Sequence, residues 1–471
     1  MSDLASDSTL SGGQRFSSSH IILIAATAAL GGFLFGFDTA VINGAVGAMQ
    51  THYGASSLAL GFAVSAALIG SAVGAWYAGP FADRLGRIRM MEIAALLFAV
   101  STLGTGLAIT LVDFSIWRFI GGIAVGIASV IAPAYIAEIA PAHLRGRLGS
   151  LQQLAIVSGI FIALLSDFAI ASAAGSPSAT FLLGAQAWRW MFWAEIIPAI
   201  AYGTLALTIP ESPRYLVAQG RDDEAEAVLR SIVGGSAHAK VAEIWETVKH
   251  EARPRLADLR SNRFGLLPVV WIGIGLSVFQ QFVGINVIFY YSSVLWHAVG
   301  FSEQSALAIT VITSVTNIVT TLIAISLVDR VGRKPLLLLG SIGMSVSLGL
   351  MAFLFGTAPL DAAGSPVLQG AAGPAALIAA NLFVVFFGFS WGPIVWVLLG
   401  EMFPNSIRAI ALSVAAAAQW IANFIVSTTF PSLKDAGLGL AYGLYTTAAI
   451  LSFFFVLRFI HETKGKELEQ M

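Results

Sequence analysis

Amide side chains recur inside segments of this sequence that are otherwise strongly apolar. They occur in both halves of the chain: Gln152, Gln153, Gln280, Gln281, Asn286, Asn317, Gln419 and Asn423. An amide both donates and accepts hydrogen bonds, so a group of amides suits an uncharged ligand with several hydroxyl groups. Hydrogen bonding between helices is the alternative role of an isolated amide. Gln280, Gln281 and Asn286 lie within nearly two helical turns, and that density favours a ligand site.

Two charged residues within apolar segments could exchange a proton. Asp38 is the single ionisable residue of the segment 21–49, and Arg118 is the single base of the segment 114–137. An unpaired charge at membrane depth is costly, so the two side chains are expected to pair. An aspartate whose arginine partner comes and goes could bind and release a proton, whereas a permanent pair would be structural. Glu195 and Arg189 are interpreted as structural or accessory.

The segments that hold these side chains are long enough to cross a membrane. Of 471 residues, 57% are hydrophobic and 11% are charged. The mean hydropathy of +0.82 leaves too little polar surface for a water-soluble fold. A membrane helix needs about 20 apolar residues, so the length accommodates twelve spans. They are predicted near 21–49, 58–82, 93–112, 114–137, 148–167, 190–209, 264–298, 304–328, 335–356, 372–400, 409–432 and 437–457.

The spans form two groups of six around a charged linker, which predicts an all-α membrane protein. The expected parts are a cytoplasmic tail 1–20, a six-helix half 21–209, a linker 210–263 with short intracellular helices, a second six-helix half 264–460 and a cytoplasmic tail 461–471. Of the 25 Lys and Arg residues, Arg118, Arg189 and Lys434 alone fall at membrane depth or outside when both termini are cytoplasmic. Because bases stay on the cytoplasmic side, this orientation in the plasma or inner membrane is favoured.

Composition also narrows the partners and the chemistry. The net charge of -1 gives no basic field for nucleic acid, and the absence of cysteine excludes disulfides and thiolate metal sites. No metal or cofactor is expected. The segment 388–392 matches the hydrolase nucleophile pattern Gly-x-Ser-x-Gly, but it lies in apolar helix rather than at a strand-to-helix turn. An enzyme is therefore disfavoured.

Charged motifs after the spans repeat between the halves. Asp83, Arg84 and Arg87 recur as Asp329, Arg330 and Arg333, and Glu138 and Arg145 recur as Glu401 and Arg408. The offsets are 246 residues from Asp83 to Asp329 and 263 from Glu138 to Glu401. Duplicated halves place a binding site at their interface. Arginine can bridge carboxylates between helices, so these loops are interpreted as inner gates, with positive-inside anchoring as the alternative.

Over essentially its whole length, the chain resembles the sugar porter family of the major facilitator superfamily. The resemblance rests on the repeated loops, on 210–214 (Pro-Glu-Ser-Pro-Arg), on 280–286 and on 462–466. It implies the major facilitator fold and transport of a hexose, glucose above all, by alternating access. It adds Glu211 and Arg214 to the gating residues, and it places a proton-coupling aspartate and arginine at Asp38 and Arg118.

The same resemblance implies the sugar contacts. They are Gln153, Gln280, Gln281, Asn286, Asn317, Trp396 and Gln419, with Phe35 and Trp420 lining the cavity. Ile160 replaces a second glutamine of a related xylose porter, which favours hexose over pentose. Trp391 and Trp396 flank Gly392 and Pro393, and this pattern predicts a broken, mobile gate helix.

Three transport-related functions stay open at this level. Proton-coupled hexose symport is the first, with passive facilitation through the same site as its alternative. A sugar sensor is the third, and it is disfavoured because about ten residues follow the last span. The lipid bilayer, a sugar and a proton are the expected partners, and the sequence does not define an oligomeric state.

Overall fold

Long helices run through the chain as the apolar segments predict. The computed structural model describes residues 18–140, 145–233, 237–250, 256–261, 265–360, 366–404 and 407–463. Both predicted tails thus lie largely outside the described residues, and the proposed part boundaries stay a prediction. The spans are numbered 1 to 12 in chain order.

The first six spans lie before the linker. Span 1 comprises Ser18–Ala40 and Ile42–Tyr53, span 2 is Ser57–Leu85, span 3 is Arg87–Leu107, span 4 is Leu111–Ile139, span 5 is Arg145–Ala174, and span 6 comprises Ala187–Trp193 and Ile196–Ala206. Span 6 is divided at 194–195 because Pro198 provides no N–H for the carbonyl four residues earlier.

The second six spans follow the linker. Span 7 comprises Pro268–Phe282 and Ile285–Ala298, span 8 is Glu303–Val331, span 9 is Arg333–Thr357, span 10 comprises Ala372–Phe386, a π-helical turn Phe387–Trp391 and Gly392–Met402, span 11 is Arg408–Ala436, and span 12 is Leu438–Phe459. Within the described residues, eleven spans are long and apolar enough to cross a membrane as continuous or nearly continuous helices. With the divided span 6, the twelve-helix prediction is confirmed.

The linker forms a small helical layer at one end of the molecule. Its helices are Pro213–Ala218, Asp222–Val233 and Ala237–His250, followed by a short 3-10 turn and a two-stranded hairpin of Arg260–Ser261 and Gly265–Leu266. On its exposed surface, hydrogen bonding by Arg221 lowers the pKa of Glu224. Such exposed pairs contribute little stability, so the buried apolar side chains of these helices hold the layer together. We name this end of the molecule the linker face and the other end the distal face.

Glycines allow the helices of one half to approach closely. A Cβ built on Gly70 of span 2 would lie 2.0 Å from the Phe119 carbonyl oxygen of span 4, and one on Gly122 would lie 1.9 Å from that of Ala67. Gly36 of span 1 and Gly159 of span 5 form an equally close contact. In lipid, helices associate through van der Waals packing rather than through the hydrophobic effect, and small residues permit that packing. These glycines therefore stabilise each half as a packed unit.

The two halves are joined near the distal face. The hydrogen bonds that the described residues form between them link Asn43 with Phe289, Ser292 and Ser293, Ser57 with Asp435, Ser65 with Thr428, and Ser172 with Gln304. These residues lie in the distal parts of spans 1, 2, 5, 7, 8 and 11. The distal face is therefore closed.

A methyl group at Gly70 tests the close contact of spans 2 and 4. We expect Gly70→Ala to lower the stability of the purified protein by about 1–3 kcal/mol, because backbone must move to admit the new atom. Thermal unfolding followed by circular dichroism measures the change. Gly79→Ala in the same helix is the control, since its Cβ would meet nothing within 4 Å. Equal melting temperatures for the two variants would contradict this packing.

Candidate functional site

A cavity of about 1470 Å³ lies between the two halves. Pro80, Val328 and Arg333 line its outer part, so it opens toward the linker face. The nine predicted sugar-contact and cavity residues all line it: Phe35, Gln153, Gln280, Gln281, Asn286, Asn317, Trp396, Gln419 and Trp420. The structure thus brings together side chains from spans 1, 5, 7, 8, 10 and 11.

Gln280 is the centre of the amide cluster. Its Nε2 donates to the carbonyl oxygens of Trp391, at 2.9 Å, and Gly392, at 3.1 Å. Its Oε1 accepts from Gln419 Nε2 at 2.6 Å and from Gln281 Nε2 at 3.3 Å. These bonds fix the orientation of the Gln280 amide, so the side chain is a preformed part of the cavity wall.

The rest of the cluster keeps unused hydrogen-bonding capacity. Asn286 Nδ2 donates to Gln281 Oε1 at 2.5 Å, while Gln419 Oε1 is buried without a hydrogen-bond partner in the structure. Across the cavity, the buried Gln152 Oε1 also lacks a partner. A buried amide oxygen without a partner costs free energy unless a ligand or water satisfies it, and these two oxygens lie on cavity-lining side chains.

Interruptions in spans 7 and 10 place the amides. Span 7 stops at Phe282 and restarts at Ile285, with Gly284 at a φ of 82° in the left-handed region that favours glycine. In span 10 the π-helical turn Phe387–Trp391 precedes Pro393, which cannot donate a backbone hydrogen bond. Gln280 bridges both interruptions by donating to the Trp391 and Gly392 carbonyls.

Aromatic rings form the apolar part of the wall. The rings of Phe35 and Trp420 lie 5.8 Å apart between their centroids and connect spans 1 and 11. Trp396 is 42% exposed on the cavity side of span 10. Trp391 is fully buried instead, and its Nε1 donates to Leu337 O and Ser341 Oγ of span 9. Of the two tryptophans beside the break, Trp396 therefore lines the cavity and Trp391 anchors the helix.

Asp38 and Arg118 form the expected buried pair. Arg118 Nη1 donates to Asp38 Oδ1 at 2.7 Å and Nη2 donates to the Asp38 carbonyl oxygen at 3.0 Å. Both residues lie behind the cavity wall, which Thr39 and Ala40 form at this level. Asp38 Oδ2 and Arg118 Nε are buried without hydrogen-bond partners in the structure, so the pair is not fully satisfied.

Glu195 belongs to the same buried group. It lies in the interruption of span 6, is fully buried, and accepts from Thr102 Oγ1 at 3.2 Å. Spans 1, 4 and 6, which carry Asp38, Arg118 and Glu195, pack together in the first half. Arg189 instead donates to the Gly106 and Ala108 carbonyl oxygens near the distal face. Glu195 Oε1 is buried without a hydrogen-bond partner in the described part of the chain, and the structural or accessory role of Glu195 and Arg189 stays a prediction.

Several of the predicted gating residues of the first half meet at the linker face. Arg87 Nη2 donates to Glu138 Oε1 at 2.9 Å, and Glu211 accepts from the backbone N–H groups of Arg87 and Ile88 at 3.0 and 3.2 Å. Ser212 Oγ donates to Glu138. Glu211 therefore caps the N-terminus of span 3, a position that the helix dipole favours for a carboxylate.

The second half repeats this arrangement. Arg333 Nη2 donates to Glu401 Oε1 at 2.7 Å, Glu462 accepts from the backbone N–H groups of Arg333 and Lys334 at 3.0 Å, and Thr463 Oγ1 donates to Glu401 at 2.6 Å. Glu462 thus corresponds to Glu211. Ser212, Glu462 and Thr463 lie within the sequence motifs, but their membership of these clusters becomes visible only in the structure.

The remaining gating residues are less central. Asp83 is about half exposed and lies 3.6 Å from Arg87, and Arg84 is exposed while its carbonyl oxygen accepts from the Tyr215 hydroxyl. Arg330 is exposed and Arg214 is half-buried. The side chains of Arg145, Asp329 and Arg408 lie outside the described residues. The Arg87–Glu138 and Arg333–Glu401 ion pairs each join helices of one half. The role of these residues in gating stays a prediction.

Comparison with known proteins places this site in a family. The model of the "Sugar (and other) transporter" family matches residues 24–471. The glucose transport protein of Synechocystis sp. is 64% identical over 96% of this chain and 97% of its own, and the D-xylose-proton symporter of Escherichia coli is 40% identical over 97% and 96%. The inward-open structure of the xylose transporter XylE from E. coli matches with a TM-score of 0.81 at 38% identity, covering 96% of this chain and 98% of the other.

The fold and the cavity define a multi-pass membrane transporter of the major facilitator type. The chain belongs to the sugar transporter family.

Removal of one cavity amide tests the site. We expect Gln281→Ala to weaken sugar binding by about 1–3 kcal/mol, because a hydrogen bond is lost and Asn286 is left without its acceptor. Isothermal titration with sugar measures the change. Asn381→Ala is the matched control, since this span 10 amide bonds Leu377 O and Thr316 outside the cavity. Unchanged affinity in Gln281→Ala, or an equal loss in both variants, would contradict the assignment.

Proposed function

We propose that the protein carries a hexose, glucose above all, across the cell membrane by alternating access with proton symport. The observation that carries the proposal is the convergence of amides from both halves on one cavity, with Gln280 held in place and the Gln152 and Gln419 oxygens left unsatisfied. The names of the relatives support it, since one is a glucose transport protein and another a D-xylose-proton symporter.

The amides and the aromatic rings would divide the recognition of the sugar between them. Gln153, Gln280, Gln281, Asn286, Asn317 and Gln419 would bind hydroxyl groups, because an amide serves either as donor or as acceptor for each. Trp396, Trp420 and Phe35 would pack on the apolar face of the ring. Ile160 also lines the cavity, and its apolar side chain is the feature that favours hexose over pentose.

Alternating access would follow from the unequal contacts between the halves. Their hydrogen bonds lie at the distal face while the cavity opens at the linker face, so this conformation would exchange sugar on the linker side. We assign the linker face to the cytoplasm because most lysines and arginines belong to it. Both termini would then be cytoplasmic.

The clusters at the linker face would act when the cavity closes on that side. In the present conformation the Arg87–Glu138 and Arg333–Glu401 pairs brace each half separately. The opposite conformation would bring the two braced ends together, and charged loops from both halves would then meet. The positive-inside rule explains the sign of these loops, but it does not explain the matching carboxylates.

Proton coupling would use Asp38. In the conformation described here Arg118 bonds the Asp38 carboxylate directly, an arrangement that suits the ionised form. A proton on Asp38 would remove the attraction and release Arg118, with Glu195 as a second carboxylate within its field. Sugar binding and proton binding would be coupled because Thr39 and Ala40, next to Asp38, form part of the cavity wall.

Neutralisation of Asp38 tests the coupling. Asp38→Asn fixes an uncharged side chain at this position, so we expect proteoliposomes to keep sugar counterflow but to lose accumulation driven by a proton gradient. Sugar-induced alkalinisation of the medium should disappear as well. Accumulation and proton movement are measured with radiolabelled glucose and a pH electrode.

Two results would overturn this part of the proposal in different ways. If the wild-type protein moves no protons with sugar, it is a passive facilitator that uses the same site. If Asp38→Asn accumulates sugar normally, then Asp38 is a structural partner of Arg118.

A further inference from the structure

Asp167 is a buried acid that neither the sugar site nor the Asp38–Arg118 pair uses. It lies in the distal part of span 5 and is fully buried. Its Oδ2 accepts from the backbone N–H of Gly44 in span 1 at 3.2 Å, and its Oδ1 has no hydrogen-bond partner in the structure. A Cβ on Gly44 would lie 2.7 Å from the carboxyl group, so glycine there permits the contact.

No cation compensates this carboxyl group among the described residues. The titratable and charged side chains of the helices packed against span 5, and of span 7 beside them, are directed elsewhere or exposed. Asp38 and Arg118 bond each other, and His52 and Arg189 lie together near the distal face. Asp113 accepts from the Ile109 N–H, and Glu303 is exposed. In span 7, the Tyr291 hydroxyl donates to Ser427 O and Tyr290 lies by Asn423. A charged carboxylate held by a single backbone N–H in such surroundings would be costly.

The segment that Asp167 contacts also joins the two halves at the distal face. We name the contacts between the halves at this face the distal gate. Asn43, directly before Gly44, is fully buried and donates to Phe289 O at 2.9 Å and to Ser292 Oγ at 3.0 Å in span 7. Ser293 donates two hydrogen bonds to Asn43, from its backbone N–H to Oδ1 and from its hydroxyl to the backbone carbonyl oxygen. Asn43 and Gly44 of span 1 therefore contact two partners. Asn43 bonds span 7 of the other half, and Gly44 bonds Asp167 of span 5.

We propose that Asp167 is a second proton-binding site, which holds its proton while the distal gate is closed and releases it when the gate opens. The proposal rests on the alternating-access function proposed above. Separation of Asn43 from span 7 would admit water to the carboxyl group, which would transfer its proton to that water. The backbone N–H of Gly44, which already donates to Asp167 Oδ2, would remain a donor to the carboxylate.

The direction of the effect follows from this assignment. A proton is bound when the gate closes, so acid at the distal face favours the closed gate and alkali favours the open one. Asp38 could contribute a pH dependence of its own. The experiment therefore uses Asp38→Asn as its parent protein.

Cysteine labelling of the purified protein measures the gate, because the natural chain contains no cysteine. Ser65→Cys places a thiol in a buried distal contact between the halves, where Ser65 bonds Thr428. Ser178→Cys places one on the exposed distal loop and corrects for the thiolate fraction, which itself rises with pH. The maleimide labelling rate of Ser65→Cys divided by that of Ser178→Cys measures the fraction of molecules in which the distal gate is open.

We expect the ratio to fall several-fold in the Asp38→Asn parent from about pH 8 to about pH 5.5. Addition of Asp167→Asn, which keeps an acceptor but cannot ionise, should make the ratio low and independent of pH. Thermal unfolding followed by circular dichroism, with a melting temperature close to that of the parent, shows that this variant is folded.

A flat ratio in the parent, or an unchanged slope with Asp167→Asn, would overturn the proposal. The parent result decides even if the Asp167 variant fails to fold. Absence of sugar transport by the wild-type protein would overturn the proposed function instead, and the labelling ratios would still report the gate.

Discussion

A helix in a bilayer must satisfy its own backbone hydrogen bonds, and this constraint decides where the chain can depart from regular helix. The departures in spans 6, 7 and 10 all lie where protein surrounds the backbone. Glu195 lies in the first, Gly284 lies in the second beside the amides, and the third exposes carbonyl groups to Gln280. Each interruption thus coincides with polar groups that the proposed cycle uses.

The contacts within each half differ from the contacts between the halves, and this difference decides which parts of the molecule can move. Within each half, glycines such as Gly70 and Gly122 bring backbones into contact, and removal of such a contact would leave a void or a clash. Between the halves, span 2 also approaches span 11 closely at Gly61, whose added Cβ would lie 2.2 Å from the Thr428 carbonyl oxygen. The polar side-chain bonds between the halves are few among the described residues, and each is worth about 0.5–1.5 kcal/mol. Two stiff units whose mutual hydrogen bonds lie on one side of the cavity can exchange conformations by breaking that side and closing the other, as an alternating-access carrier requires.

Sequence reasoning predicts the spans and the cavity residues because both depend on the cost of polarity in lipid. It does not predict that Trp391 and Trp396, five residues apart, take different roles, since that depends on how a π-helical turn rotates span 10. Nor does it find Asp167 or Asn43, although each is a polar side chain within or at the end of an apolar segment. The missing information is the register between helices, which places Glu462 on span 9 and Asp167 opposite Gly44.

Alternating access requires the distal contact between the halves to break in every cycle, and a reversible cross-link examines this directly. Ser65 Oγ and Thr428 Oγ1 are 2.5 Å apart, so cysteines at both positions are placed to form a disulfide in this cysteine-free chain. Sugar uptake by cells is measured before and after oxidation and again after reduction, with each single-cysteine variant as a control. The account predicts that oxidation of the double variant abolishes uptake and that reduction restores it. Full uptake with the disulfide quantitatively formed would contradict it.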